Sequence, residues 1–383
     1  MSLWQSFVSL FRRKRRPSPR GPARSGQRAN RRQASHKGPV RKTAAPARPV
    51  ATVRRKQTAA PADSRPKKDD TNQREELRIF GRDICRRINE VRSEVEEAQD
   101  AKFVKALYRN LVEHEFEIPL FPMVSLQLMR ITADPFVAIE KVSSVIETDQ
   151  VIAAKVIGIA NSPLYRTAAE TKSIRQAVMK LGLREVTNVV MAVSMYSKIF
   201  RIELFQEQVD LIREHAIGCA YAAKHFAPFF RVEPDEAFLG GLMHDVGKMV
   251  VYKVIAEIQL SGPKDYRPSE GLLEVALQKF HPEIGGLMAM EWSLPATVSE
   301  CLRRHHDISS ADEEAKPLAT TVFLANHVCH YLQIGVEGRH EEKLLAFRKA
   351  IECIDLGEDE EKVVAGVQAF KDSYEGIRSE IGS

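Results

Sequence analysis

Apolar residues in the first helix-favouring part of this chain recur at helical spacing. In the charged, proline-free stretch from 74 to 115, Ile84, Ile88, Val91 and Val95 follow one another at intervals of four, three and four residues. Such a narrow stripe predicts a long helix that packs on the rest of the protein or on a second copy of the chain. The stripe is short for a coiled coil, which favours packing within one chain over a homo-oligomer.

Residues 118–200 alternate between short apolar patterns and helix stop signals. Asp134 followed by Pro135 predicts a helix start, and Gly182 is placed to end a helix that begins near Ser173. The valine-rich run 189–196 has the composition of a buried strand. Because helical patterns flank it and no partner strand is evident, the sequence predicts a buried helix there.

Several histidines of residues 206–329 occupy positions where helical patterns place the core. One predicted helix face carries Leu211, Ile212, His215, Cys219 and Ala222. Gly240 and Gly241 leave room for a close helix approach, and the His281-Pro282 pair predicts a helix start with His281 near its cap. Two further helices are predicted beyond residue 335. The patterns together predict an all-α fold, with an N-terminal helical subdomain ahead of the histidine-bearing helices.

Charge divides the 383 residues into two unlike parts. Residues 1–70 carry 20 Lys and Arg against three Asp, a net of +17, whereas the remainder has a net of −11. Eight prolines and almost no large apolar side chains occupy residues 12–70. Such a segment cannot bury enough surface to offset the entropy of ordering, so the sequence predicts a disordered tail over residues 1–70.

The start of this tail has features of a surface anchor. Leu3, Trp4 and Phe7 fall mostly on one face of a short helix with Phe11, and five consecutive basic residues follow at 12–16. This pattern is typical of segments that lie in the interface of an anionic membrane. Non-specific contact of residues 1–70 with nucleic-acid phosphates and a purely solubilising linker are equally open.

The cysteines and the lengths of the apolar runs bear on cellular location. Cys219 and Cys329 fall in apolar helical surroundings, and the five cysteines show no CxxC spacing. This usage favours a reducing compartment. No apolar run reaches the 18 or so residues that span a bilayer, and the basic run follows the apolar one, contrary to a secretory signal. We expect a cytoplasmic protein that is peripheral at the inner membrane surface if the tail anchors it.

The most informative chemistry is the adjacent pair His244 and Asp245 in an otherwise apolar helical run. Burying a carboxylate there is costly unless a metal or a hydrogen-bond network compensates it. His215 precedes this pair by 29 residues, and His281 and the pair at 305–306 follow it. Imidazole nitrogens with one carboxylate suit Fe, Mn, Zn or Ni better than Ca or Mg. A single histidine in a core has a purely structural interpretation. The hypothesis of a metal site therefore depends on these histidines and Asp245 taken together.

The order of a His, then His-Asp, then a His, then His-His resembles the metal-dependent HD phosphohydrolase superfamily. That resemblance implies a helical bundle in which these groups meet at one divalent metal centre. A final Asp follows in the superfamily pattern, and its place here is held by Asn326. The resemblance implies the following candidate metal ligands: His215, His244, Asp245, His281, His305, His306 and Asn326. Asp245 and Lys248 are the candidate catalytic residues.

The upstream sequence narrows the resemblance to one branch. Residues 118–123, Glu147 to Asp149, residues 159–162 and residues 174–182 resemble the HDOD family, signalling-output relatives of the HD hydrolases. Gln150 departs from the proline that is usual after Asp149. The resulting interpretation divides the chain into the tail, a helical linker over 74–115, an HDOD domain over 118–335 and C-terminal helices over 336–383.

HDOD resemblance and the loss of the final carboxylate imply the same function. HDOD domains are regarded as signalling or scaffold modules without hydrolysis, which implies signalling proteins as partners. Asn326 cannot act as a base and attracts a dication less than a carboxylate does. No Gly-Tyr-Pro signature of the cyclic-dinucleotide phosphodiesterases occurs at 249–280. The sequence predicts a bacterial, non-catalytic, protein-binding regulatory module, and the alternative is a metal-dependent phosphohydrolase or phosphodiesterase.

Overall fold

The structure is a computed structural model, and its described part is helical. The described residues are 82–91, 98–113, 121–162, 165, 170–195, 201–262, 267–336, 340–354, 356 and 360–381. They contain no β-strand, which confirms the predicted all-α fold. The predicted disordered tail of residues 1–70 and the amphipathic segment at its start lie outside the described residues.

The N-terminal helices precede the histidine-bearing part of the chain. They are α1 (82–91), α2 (Ala98–Tyr108), α3 (Met123–Thr132), α4 (Ile139–Ile146), α5 (Gln150–Ala160), α6 (Ile174–Leu181) and α7 (Leu183–Ser194). Helices α3 to α7 pack on one another as the predicted N-terminal subdomain. Residues 189–194 of the valine-rich run lie in α7 and are buried, so the prediction of a buried helix is confirmed for that stretch.

The remaining helices form the larger bundle. They are α8 (Gln206–Phe226), α9 (Pro234–Met243), α10 (Val246–Ser261), α11 (Glu270–Glu291), α12 (Ala296–Arg304), α13 (Lys316–Leu332), α14 (His340–Ile354) and α15 (Glu360–Ile381). Helix α8 packs against α9 and α13, and α11 packs between α10 and α12. Among the described helices, none combines the length and apolar character that crossing a bilayer requires.

Local start and stop signals act largely as their chemistry dictates. The side chain of Ser173 accepts a hydrogen bond from the backbone of Gln176 and caps α6, and Gly182 ends that helix with φ at +85°. Asp149 accepts hydrogen bonds from the backbone N–H groups of residues 151 and 152. Gln150 is the first helical residue, where the N–H needs no helical partner, so losing the usual proline leaves the helix start intact.

Two predicted helix starts are wrong. Asp134 accepts a hydrogen bond from the backbone N–H of Phe136 in a turn, and the next helix begins only at Ile139. His281 lies in the middle of α11 rather than near a cap, because the helix continues through Pro282. Proline removes one backbone donor from a helix without preventing its continuation when tertiary packing holds both sides. The buried stretch 280–289 supplies that packing.

Glycines set the closest helix approach in the bundle. A Cβ at Gly241 would lie 2.5 Å from the backbone carbonyl oxygen of Cys219, so α8 and α9 meet backbone to backbone there. The predicted close approach at this glycine pair is therefore confirmed. A Cβ at Gly247 would overlap the backbone carbonyl of His281, which fixes the start of α10 directly against the middle of α11. Both approaches lie beside the histidines.

Candidate metal centre

Five helix segments bring the predicted ligand residues together. His215 lies on α8, His244 and Asp245 join α9 to α10, His281 lies within α11, and His305 ends α12. Asn326, on α13, completes the group beside His215. Each of these six side chains is at most 4% exposed. His306 belongs to the same cluster but is exposed to solvent.

Backbone carbonyls fix the orientation of the four buried imidazoles. Nδ1 of His215 donates to the carbonyl of Ile334 at 3.0 Å, and Nδ1 of His244 donates to that of Gly241 at 2.8 Å. Nδ1 of His281 donates to Leu277 at 2.7 Å, and Nδ1 of His305 donates to Leu302 at 2.8 Å. Because a carbonyl can only accept, each Nδ1 carries the proton and each Nε2 presents a lone pair.

The lone pairs converge on the carboxylate of Asp245. Oδ2 lies 3.3 Å from Nε2 of His244 and 4.0 Å from Nε2 of His215. Oδ1 lies 3.4 Å from Nε2 of His281 and 3.9 Å from Nε2 of His305. Asp245 therefore stands between two groups of imidazoles, with one oxygen toward each.

Lys248 neutralises this carboxylate. Its Nζ donates to Oδ2 of Asp245 at 2.7 Å from one turn further along α10. Burial alone raises the pKa of Asp245, but His244 and the Lys248 ammonium outweigh it and hold that pKa well below its usual range. The carboxyl group is consequently ionised at neutral pH. Lys248, a candidate catalytic residue, thus also has a structural role as the partner of Asp245.

Burial keeps three of the buried histidines neutral. It lowers the pKa of His215 to about 3, with the nearby His244 acting in the same direction. Burial also lowers the pKa of His281 and of His305 well below their usual range, more than the opposing effect of Asp245 raises them. Neutral imidazole is the form that binds metals. These rings need no deprotonation before they can act as ligands.

Two groups of donor atoms suit a divalent metal. One consists of Asp245, His281, His305 and His306, and the other of His215, Cys219 and His244, with the ligand atoms of each group within 4.8 Å of one another. Nε2 of His281 lies 3.2 Å from Nε2 of His305 and 3.1 Å from Nε2 of His306. In the first of these pairs both facing nitrogens present lone pairs, which repel unless a cation lies between them.

Unpartnered buried atoms support the same fit. Nε2 of His244 and Oδ1 of Asp245 are buried and make no hydrogen bond in the described structure. A buried polar atom without a partner costs about 1–3 kcal/mol, so a ligand for these atoms would stabilise the fold. Nitrogen donors with one carboxylate match Fe, Mn, Zn or Ni. The residues present therefore fit a divalent transition metal.

Asn326 changes one corner of the centre. Its Oδ1 lies 3.0 Å from Nε2 of His215, where two acceptors face each other. Either a cation between them or rotation of the amide, which turns an N–H toward Nε2, relieves this contact. An aspartate has no N–H for the second arrangement. Asn326 can therefore form a hydrogen bond with His215 in the absence of a metal. The aspartate of the superfamily pattern could not, because an ionised carboxylate has no hydrogen to donate.

Two residues beside the centre are not among the candidate ligands that the sequence indicated. Cys219 Sγ lies 3.4 Å from Nε2 of His215, one helical turn away on α8. The signal was available, because residues four apart on a helix share a face. His330 places its ring centroid 4.9 Å from that of His215, whereas His327 bonds to the backbone of Phe323 at 2.9 Å. The metal role of every candidate residue stays a prediction.

A buried carboxylate fastens the two helices that carry His281 and His305. Glu283 on α11 is 2% exposed, and its Oε2 lies 3.2 Å from Nη2 of Arg303 on α12. Arg87 of α1 approaches Oε1 of the same carboxylate at 3.7 Å. Arg303 also donates to Asp83 at 2.8 Å, which ties α1 to this corner of the bundle. A charged group at this depth is retained only when it is paired in this way.

Comparison with known proteins places this architecture in the class of HD-like helical bundles. A candidate metal-dependent phosphohydrolase from Shewanella amazonensis superposes with a TM-score of 0.54 over 74% of this chain and all of that one, at 21% identity. An HDOD domain protein with unknown function from Geobacter sulfurreducens superposes with a TM-score of 0.53 at 26% identity. The superposition covers 69% of this chain and 92% of the Geobacter protein.

The family follows from the sequence match. Residues 118–308, about half of the chain, match the HDOD domain, and the chain belongs to the HDOD family. An uncharacterized protein of Treponema pallidum (strain Nichols) is 27% identical over 226 residues. That alignment covers 56% of this chain and 43% of the relative, so the chain spans less than half of the relative's length.

Proposed function

We propose that this chain is a signal-transduction protein whose HDOD domain acts as a non-catalytic, protein-binding regulatory module. The observation that carries the proposal is the closure of the polar centre. Its carboxylate, four of its imidazoles and Asn326 are each at most 4% exposed. A phosphoester needs an open position at a metal for its oxygen and for the attacking water. A centre buried to this extent suits a structural role better than turnover.

The charge of the centre supports the same function. Asp245 is its one carboxylate among the candidate ligands, and Lys248 already compensates that charge at 2.7 Å. Burial keeps His215, His281 and His305 neutral, and Asn326 contributes an uncharged amide. The charge of Asp245 is therefore already balanced without any metal. A hydrolytic centre that must hold a dication and activate water gains more from a second carboxylate than from an amide.

The alternative function is a metal-dependent phosphohydrolase, and one observation favours it. His306 is exposed while its Nε2 lies 3.1 Å from that of buried His281, so this side of the centre faces solvent. Asp245, His281, His305 and His306 would hold the metal there. A bound metal supplies polarisation of a phosphoryl oxygen and a lower pKa for its water. Asp245 would orient the ligands, and Lys248 would lie where it could contact a phosphate.

Turnover measurements separate the two functions. We expect purified full-length protein, incubated with Mn²⁺, Fe²⁺ or Zn²⁺, to hydrolyse neither cyclic dinucleotides nor a generic phosphodiester above the rate of a His244→Ala, Asp245→Ala double variant. Circular dichroism of that variant controls for unfolding. Metal-dependent hydrolysis by the wild type, abolished in a variant that remains folded, would show that the module is an enzyme.

Restoring the carboxylate tests the role of Asn326. We expect Asn326→Asp to raise the affinity for Mn²⁺ at least tenfold, about 1.4 kcal/mol, because an anionic oxygen replaces a neutral one beside His215. Titration calorimetry on chelator-treated protein measures the change. Gln127→Glu adds the same charge at an exposed position on α3 and should leave the affinity unchanged. Equal affinities of all three proteins would remove Asn326 from the proposed site.

The basic tail is proposed to bring the module to an anionic surface. Trp4 and Phe7 with the basic run at 12–16 motivate this proposal, and these residues lie outside the described part of the chain. Deleting residues 1–16 should abolish co-sedimentation with vesicles containing anionic lipid, and vesicles of neutral lipid should bind weakly even the full chain. Sedimentation that survives the deletion would favour the linker interpretation. Salt-sensitive retention on duplex DNA would favour nucleic-acid contact.

A further inference from the structure

Cys219 lies beside the two histidines that share its half of the centre. Its Sγ is 3.4 Å from Nε2 of His215, and one ligand atom each from His215, Cys219 and His244 lies within 4.8 Å of the others. All three side chains are at most 2% exposed. This thiol contacts an imidazole nitrogen as well as the buried thiol of Cys329, whereas an ordinary core cysteine packs against apolar side chains.

The spacing agrees with tetrahedral coordination. With Zn–N bonds of about 2.0–2.1 Å and Zn–S bonds of about 2.3 Å, the sulfur and a nitrogen of one tetrahedron lie roughly 3.6 Å apart. The observed separation between Cys219 and His215 is 3.4 Å. Oδ2 of Asp245 lies 3.3 Å from Nε2 of His244. This separation is close to the roughly 3.4 Å expected between a nitrogen and a carboxylate oxygen that bind the same tetrahedral zinc.

An independent observation indicates that a ligand belongs here. Nε2 of His244 is wholly buried and makes no hydrogen bond, although its Nδ1 is fixed by Gly241. The lone pair of this nitrogen consequently has no partner within the described structure. This unpartnered nitrogen, the thiol of Cys219 and the imidazole of His215 together form a donor set that thiophilic metals prefer.

We propose that Cys219 is a metal ligand, and that with His215 and His244 it binds a thiophilic dication of the Zn²⁺ class, with Asp245 as the fourth ligand. Cys219 thereby supplies the anionic charge that Asn326 cannot. Thiolate and carboxylate together balance the dication, and four protein ligands close the coordination shell. Closed tetrahedral shells are typical of structural zinc. The proposal rests on the proposed non-catalytic function in one respect, which is that the metal bound by these four residues has a structural role.

Proton and charge balance define what binding must do. Burial raises the pKa of the Cys219 thiol in the metal-free protein, so the thiol keeps its proton until a metal arrives. Coordination deprotonates a thiol outright, and one proton passes to solvent for each metal bound. Lys248, whose side chain is 25% exposed, then moves its ammonium from Asp245 toward water. The sum of these steps is a neutral buried site.

Cobalt substitution tests the proposal on the full-length protein. Co²⁺ bound to a thiolate has a charge-transfer absorption in the near ultraviolet that Co²⁺ bound only to imidazole and carboxylate lacks. We expect this band with the wild type at one Co²⁺ per chain, and its loss when Zn²⁺ is added. Cys219→Ala and Cys219→Ser should abolish the band. Any Co²⁺ held by His281, His305 and His306 would not contribute to it.

Cys329→Ala is the matched control, because that thiol is the buried neighbour of Cys219. It should keep the band and the zinc stoichiometry of the wild type. A band that persists in Cys219→Ala, disappears in Cys329→Ala, or is absent from folded wild-type protein would overturn the proposal. Phosphodiester hydrolysis by the same samples would contradict the proposed function but not the thiolate ligand, so the two failures are distinguishable.

Discussion

Gly247→Ala should lower the free energy of unfolding by about 3 kcal/mol or prevent folding, because overpacking costs most where the neighbour is backbone. A Cβ at this position would overlap the backbone carbonyl of His281. The start of α10 would have to move away from α11, which would also displace Asp245 from His281. Chemical denaturation followed by far-ultraviolet circular dichroism measures the loss.

A second glycine in the same chain provides the control. Gly158 lies in α5 with no atom within 4 Å of the place a Cβ would occupy. Gly158→Ala should therefore stabilise the protein, by about 0.5–1 kcal/mol, because alanine loses less backbone entropy in a helix. A loss below 1 kcal/mol for Gly247→Ala would mean that α10 and α11 are not in backbone contact.

Acid should unfold the metal-free protein at an unusually high pH. The pKa of His215 is lowered to about 3 by burial and by His244, and burial lowers the pKa of His281 and of His305 as well. In the unfolded chain these rings bind protons below about pH 6.5. Since the folded state binds fewer protons, the histidine contribution is fully present above pH 6.5 and is lost as the pH falls toward the folded pKa.

The expected size of this effect is large. Three buried imidazoles give a limiting slope of roughly 4 kcal/mol per pH unit and a loss of roughly 6 kcal/mol between pH 7 and pH 5. Total stabilities of about 5–15 kcal/mol leave little after such a loss. Denaturant titrations at several pH values, with chelator present, give the slope. His215→Gln should reduce that slope by about one proton, and a slope already below one proton in the wild type would contradict the prediction.

Sequence information was sufficient for the all-α fold and for most members of the centre. Helical spacing, the Ser173 and Gly182 signals and the glycine pair before His244 are local, and each acts in the structure as its chemistry dictates. The order of the candidate ligands resembles a known helical pattern, and this resemblance predicted that they meet. The structure brings the following residues together: His215, His244, Asp245, His281 and His305. Convergence itself depends on helix packing, which no local spacing encodes.

The errors and omissions come from tertiary contacts. His281-Pro282 has the local signature of a helix start, yet packing on both sides carries α11 through the proline. Lys248 was a catalytic candidate, and only the structure shows that its ammonium is bound by the buried carboxylate of Asp245. Cys219 was assigned to the core because its neighbours in sequence are apolar. Helical spacing already puts it on the face of His215, and the fold adds His244 beside it.

The backbone carbonyl of Ile334 determines where a fragment with an intact centre can end. It holds Nδ1 of His215 from a turn in which Gln333 and Gly335 both have positive φ, and it lies 26 residues beyond the end of the family match at 308. Asn326 lies on the helix that leads into this turn. A fragment limited to the matched residues would leave His215 free to rotate and its tautomer unfixed. A fragment that keeps the centre intact must therefore extend at least through Ile334.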